Sequence, residues 1–115
     1  MIHETDIPRG FTTDPIDYSY WAESMIVSLP ENRLNENMHG ICSEVGELHG
    51  KMQRSLRDGT LDIEGILYEC GDIVFYATVI ANYFDSNLNA IMEMNMAKLN
   101  DRAKRGVIKG SGDKR

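Results

Sequence analysis

Two stretches decide the fold: Met38-His-Gly-Ile41-Cys-Ser-Glu44-Val-Gly-Glu47-Leu-His-Gly-Lys51-Met52 and, 25 residues further on, Ile63-Glu-Gly-Ile66-Leu-Tyr-Glu69-Cys-Gly-Asp72-Ile73-Val-Phe-Tyr76-Ala77. In the first, Met38, Ile41, Val45, Leu48, Met52 and then Leu56 recur at helical spacing and form one apolar stripe. In the second, Ile63, Ile66, Leu67, Cys70, Ile73, Val74, Ala77, Ile80, Ala81 and Phe84 form a wider stripe, which predicts the most buried helix. Both stretches carry an acidic pair around a glycine, Glu44-Val45-Gly46-Glu47 and Glu69-Cys70-Gly71-Asp72. The i, i+3 spacing puts both members of a pair on one side of their helix. At about 100° per residue, the two pairs fall on the same flank of their stripes. Antiparallel packing through the stripes then brings the flanks together. Glycine costs a helix interior roughly 1 kcal/mol against alanine. Gly46 and Gly71, at matching places, therefore predict close backbone approach.

Outward from this core, the remaining punctuation is clear. Asp14-Pro15 reads as a helix start, with Tyr18, Trp21, Ala22, Met25 and Leu29 at helical spacing and Pro30 as the stop. The second helix runs from about Leu34 to Leu56, and Arg57-Asp58-Gly59-Thr60 breaks it. The third starts near Asp62, and Asp85-Ser86-Asn87 connects it to a fourth from Leu88 to about Arg105. No segment shows strand alternation. Four helices with short connections predict an all-α four-helix bundle in one domain, residues 14–105. Residues 1–13 read as a loose N-terminal arm and 106–115 as a flexible basic tail.

Composition narrows the function classes. The chain has 115 residues, a net charge of −6, and is 42% hydrophobic, enough for one core. With pI near 4.9 it is a poor default partner for nucleic-acid polymer, whose phosphates demand a basic surface. A small anion carried by metal ions is a different matter. The Met1 end has no basic region followed by an apolar core, and Ile73 to Ala81 is too short to span a bilayer. A cytoplasmic protein without membrane contact is expected. Cys42 and Cys70 form no disulfide framework and read as buried reduced thiols.

The acidic pairs carry the chemistry. Converging carboxylates repel unless a cation neutralises them, and hard oxygen ligands without His or Cys favour Mg²⁺ or Mn²⁺. A di-iron site wants a Glu-x-x-His unit from each of two helices. Only Glu36-Asn37-Met38-His39 matches. Around the acids, Lys51 and Arg54 follow Glu47 by one and two turns, and Tyr76 follows Asp72 by one. On helix four, Asn95 falls inside the apolar stripe with Lys98 and Arg102 close in angle. These three can donate to phosphate oxygens. Trp21 and His39 can touch a base, or serve as core and helix surface respectively.

With these residues in view, the chain resembles the MazG-like nucleoside triphosphate pyrophosphohydrolases, in particular the short single-domain, phage-type members. The signature is a Glu-x-x-Glu pair followed on the next helix by Glu-x-x-Asp, here Glu44/Glu47 and Glu69/Asp72. The ending from Asn95 through Lys98, Arg102 and Arg105 to Asp113 is also similar, so the resemblance covers about residues 36–115. Many relatives carry a further Glu directly before the first pair, where this chain has Ser43.

The resemblance implies an all-α fold, a Mg²⁺ site, homo-oligomers (dimer or tetramer), and hydrolysis of nucleoside or deoxynucleoside triphosphates to monophosphate and pyrophosphate. Glu44, Glu47, Glu69 and Asp72 are the implied metal ligands. Glu44 or Glu47 is the implied group that orients or deprotonates the attacking water. Asn95, Lys98 and Arg102 are expected to hold the triphosphate, with Lys51, Arg54 and Tyr76 as further substrate contacts. Two other readings stay open: a narrow-specificity relative of dUTPase, dCTPase or phosphoribosyl-ATP type, and a metal-binding helical oligomer without turnover.

Overall fold

A computed structural model describes residues 14–113. The arm expected over 1–13 lies outside the described residues. Four α-helices follow one another: α1 (Pro15–Ser24), α2 (Arg33–Asp58), α3 (Ile63–Tyr83) and α4 (Leu88–Arg105), with one 3-10 turn at Pro30–Asn32 ahead of α2. No strand occurs among the described residues.

The helix ends follow side-chain chemistry. Asp14 accepts from the amides of Ile16 and Asp17 and caps α1, with Pro15 directly behind it. Asp62 accepts from the Gly65 amide and Asn87 from the Ala90 amide, which caps α3 and α4. Gly59 and Gly106, with φ of 75° and 69°, take the left-handed conformation that closes α2 and α4. Helix α1 is shorter than its apolar spacing suggests. It stops at Ser24, before the β-branched pair Ile26-Val27, and Pro30 starts the 3-10 turn rather than ending α1.

Helices α2 and α3 form an antiparallel hairpin. Gly40 meets Tyr76, Glu44 meets Glu69, and Lys51 meets Asp62, so positions rise along one helix as they fall along the other. Helices α1 and α4 pack against α3 and against each other. Ser19 ties the layer together. Its hydroxyl accepts from the Leu88 amide at 2.9 Å, and its carbonyl accepts from Asn82 Nδ2 at 2.9 Å.

The buried apolar residues among those described are Ala22, Val79 and Ala81, joined by Thr78. Helix α3 is thus the buried one, as its wide stripe predicts, but only in its second half. Its first half leaves Ile63, Leu67 and Tyr68 exposed, and α2 leaves Met38, Val45, Met52 and Leu56 exposed. Cys42 and Cys70 are free and exposed rather than buried, because the apolar residues around them, Val45, Leu67 and Val74, are themselves left uncovered. No helix among the described residues is long and apolar enough to cross a membrane.

Beyond Gly106 the chain turns back on α4 instead of hanging free. Val107 donates to the Arg102 carbonyl at 2.9 Å and Gly110 to the Val107 carbonyl at 3.0 Å. The described part of the tail ends with Asp113 on Lys98 and Arg102.

Candidate metal centre

The hairpin brings three carboxylates together. One oxygen each from Glu44, Glu69 and Asp72 lies within 4.8 Å of the others. Glu44 comes from the middle of α2, while Glu69 and Asp72 come from one turn of α3, as antiparallel packing of the two acidic flanks requires. An octahedral Mg²⁺ with bonds of about 2.1 Å holds neighbouring oxygens about 3.0 Å apart and opposite ones about 4.2 Å apart. The cluster is therefore only slightly wider than that ion needs. Glu69 Oε2 is buried and has no hydrogen-bond partner. A buried acceptor in that state is costly unless a proton or a cation meets it.

The electrostatics reflect the crowding. A hydrogen bond shared with Glu69 holds the proton on Glu44, and burial and the charges of Asp72, Glu69 and Glu47 push the same way, raising its pKa from 4.5 to about 7. Glu47 acts on Glu44 through its charge but stands outside the three-oxygen group. The structure thus joins three of the four expected ligands.

Lys51 borders the cluster. Its Nζ lies 4.0 Å from Glu69 and 3.6 Å from Asp62. Gly65 makes room for it, since a Cβ there would sit 2.9 Å from the Lys51 ammonium. Arg54, one turn on, is exposed and lies over Gly50, away from the acids. Tyr76 is seated against Gly40, and its ring meets Phe75 edge-on at 5.4 Å. From α1, Tyr18 comes within electrostatic reach of Asp72. Burial first, and the Asp72 charge second, raise its pKa. Tyr18 stacks obliquely on Trp21 at 5.4 Å, and Trp21 meets Phe75 at 6.1 Å, so an aromatic row leads from the acids into α1. The sequence marked Tyr18 only as an apolar position, and Trp21 as core or as a residue able to touch a base. The approach of Tyr18 to Asp72 depends on how α1 lies across α3.

Two expectations about glycine and one about α4 need correction. A Cβ on Gly46 or Gly71 would meet nothing within 4 Å, so neither permits close approach within the chain. The close approach is at Gly40, where a Cβ would sit 2.6 Å from Tyr76 Cζ. Asn95 is exposed, not enclosed in a core stripe. Lys98 is bonded to Asp113 at 3.2 Å, and Arg102, at 4% exposure, donates to the Gly112 carbonyl at 3.1 Å. Arg102 is buried because the tail covers it, and helical periodicity carries no sign of that.

Comparison with known proteins finds the "Gene 37 protein" of Mycobacterium phage L5, 38% identical over 81 residues, which cover 66% of this chain and 71% of that protein. No family model matches the chain, and no solved structure matches it.

Proposed function

We propose that this chain, which belongs to the family of the Gene 37 protein of Mycobacterium phage L5, is a divalent-metal-dependent nucleoside triphosphate pyrophosphohydrolase of MazG-like type. The observation that carries the reading is the meeting of Glu44, Glu69 and Asp72 oxygens within 4.8 Å, with Glu69 Oε2 buried and unpartnered. The donor set is all carboxylate, which suits Mg²⁺ or Mn²⁺. Such an ion, when bound, neutralises phosphate charge and makes water more acidic.

The chain's own residues take the other roles. Glu44, Glu69 and Asp72 hold the ion. Glu47, one turn from Glu44 and outside the group, orients or deprotonates the attacking water or completes the ligand set. Lys51 steadies Glu69 and offsets the charge of the acids. Lys98 and Arg102 receive the triphosphate, with Asn95 beside them. Trp21 and Tyr18 lie where an aromatic base has a stacking surface. The products are a nucleoside monophosphate and pyrophosphate, and the working unit is a dimer or a tetramer in the cytoplasm.

The test is phosphorus NMR of pure protein incubated with Mg²⁺ and a mixture of deoxynucleoside triphosphates. Monophosphate plus pyrophosphate is expected, with loss on adding EDTA. Glu69→Gln and Asp72→Asn should each lower kcat/KM at least about 100-fold, on the scale of losing metal activation. Diphosphate plus orthophosphate would refute the bond assignment, and unchanged rates in both variants would refute the site. A panel of single nucleotides separates a broad enzyme from a dUTPase or dCTPase type. A metal-binding oligomer without turnover has one observation in its favour: the cations of α4 are occupied by Asp113. Metal binding without product in the same experiment would establish that reading instead.

A further inference from the structure

Eleven positions after Arg102, the tail returns a carboxylate to the same turn of helix. Two left-handed glycines shape the path, Gly106 at φ 69° and Gly112 at φ 81°. A single oxygen, Asp113 Oδ1, then lies 3.2 Å from Lys98 Nζ and 3.5 Å from Arg102 Nη2. The two cations converge on one point, and an acidic oxygen occupies it. The Arg102 side chain is 5% exposed while that of Asp113 is 85% exposed. The guanidinium is fixed, whereas the carboxylate lies on the solvent side and can leave outward.

We infer that Lys98 and Arg102 form an anion site that Asp113 occupies in cis, and that a polyphosphate enters by displacing the Asp113 carboxylate. The inference deepens the reading in which this face of α4 receives the triphosphate, and it supplies a gate that reading lacks. Chemistry favours the exchange. A carboxylate offers one charge to two cations, whereas a triphosphate chain offers several charges and more acceptor oxygens. The Lys98–Asp113 pair is exposed on both sides and worth little against water, and Asp113 itself lies in solvent, so the carboxylate is easily displaced and the site acts as a filter for multiply charged anions. Arg102 keeps its bond to the Gly112 carbonyl when Asp113 leaves, so the buried guanidinium is not stranded.

Binding of inorganic triphosphate to the full chain, followed by calorimetry at low salt in EDTA, tests the gate without metal or turnover. Asp113→Asn should bind about two- to fivefold tighter than wild type, the value of an exposed pair removed from competition. Its melting temperature should be unchanged. Asp101→Asn removes the same charge from a carboxylate that pairs with Arg105 at 2.9 Å, and should give no comparable gain. Gly112→Ala strains a left-handed turn and should loosen the gate in the same direction as Asp113→Asn. In a Lys98→Ala background the gain from Asp113→Asn should shrink. Unchanged or weaker binding by Asp113→Asn, an equal gain from Asp101→Asn, or no binding by any form would overturn the inference. The hydrolysis assay separates the two claims. Turnover with no effect of Asp113 refutes the gate alone, and tighter binding without turnover refutes the enzyme alone.

Discussion

Glu44 keeps its proton to a higher pH than a carboxyl group ordinarily does, and folding bears the consequence. Its pKa rises from 4.5 to about 7 in the folded chain, so the folded state holds the proton more tightly than the unfolded one. The stability this confers is complete below pH about 4.5 and is lost as pH climbs through about 7. In EDTA, the melting temperature should therefore fall across that window, and Glu44→Gln should flatten the fall. Saturating Mg²⁺ should also remove it, since a cation replaces the proton, and its binding near pH 6.5 should release protons detectable in weak buffer. A melting temperature that is flat with pH in metal-free wild type would contradict the crowded cluster. At Gly40 the argument is steric. A Cβ there would sit 2.6 Å from Tyr76 Cζ, so Gly40→Ala should cost about 1–3 kcal/mol in urea denaturation by forcing the ring aside. Gly46→Ala and Gly71→Ala meet open space and should each gain up to about 1 kcal/mol. A loss at either would mean that another chain lies against it.

At the level of elements, what could be read in advance was what depends on neighbours along the chain. Capping residues set the starts of α3 and α4, glycines the ends of α2 and α4, and the matched acidic flanks foretold that Glu44 would face Glu69 and Asp72. What could not be read depends on crossing angles and backbone turns. Tyr18 meets Asp72 because of how α1 lies across α3. Asp113 reaches Arg102 because two glycines bend the tail, although the composition of that tail suggests only mobility. Asp62 illustrates both kinds of information. It caps α3 through the Gly65 amide at 2.9 Å, which its position before an apolar run announces. It also lies 3.6 Å from Lys51, which only the hairpin register reveals. Asp62→Ala should cost about 0.5–2 kcal/mol, nearly all from the cap. Asp62→Asn keeps a capping oxygen while losing the charge, and should cost less than half as much in the same denaturant series, because a pair with an exposed partner contributes little. Equal losses in both variants would shift the weight to the ion pair.

At the scale of the whole molecule, one chain leaves its apolar stripes unfinished. Only Ala22, Val79 and Ala81 are buried apolar residues among those described, while Leu67, Tyr68, Met94 and Met96 are 55%, 67%, 69% and 62% exposed. Single exposed apolar side chains are ordinary, but rows of them along α2, α3 and α4 are the surface against which the proposed assembly would pack. A second copy is the simplest cover, because the uncovered stripes of α2 and α3 are amphipathic and a two-fold contact can use the same faces twice. Sedimentation equilibrium at micromolar concentration should therefore give at least a dimer, and a stable 13.0 kDa monomer would refute it. Charge insertion locates the contact. In an isolated chain, Leu67→Lys and Met94→Lys replace side chains already more than half exposed, and should change stability by no more than about 0.5 kcal/mol. Buried between copies, the same lysines lose their hydration and weaken association by several kcal/mol. A variant that dissociates at concentrations where wild type is assembled, with its far-ultraviolet helical signal intact, marks the face. If Leu67→Lys dissociates and Met94→Lys does not, the hairpin makes the contact and α4 stays outside it. The reverse result would put α4, with Lys98 and Arg102, at the boundary between subunits, where the anion site of one copy can face the carboxylates of the other.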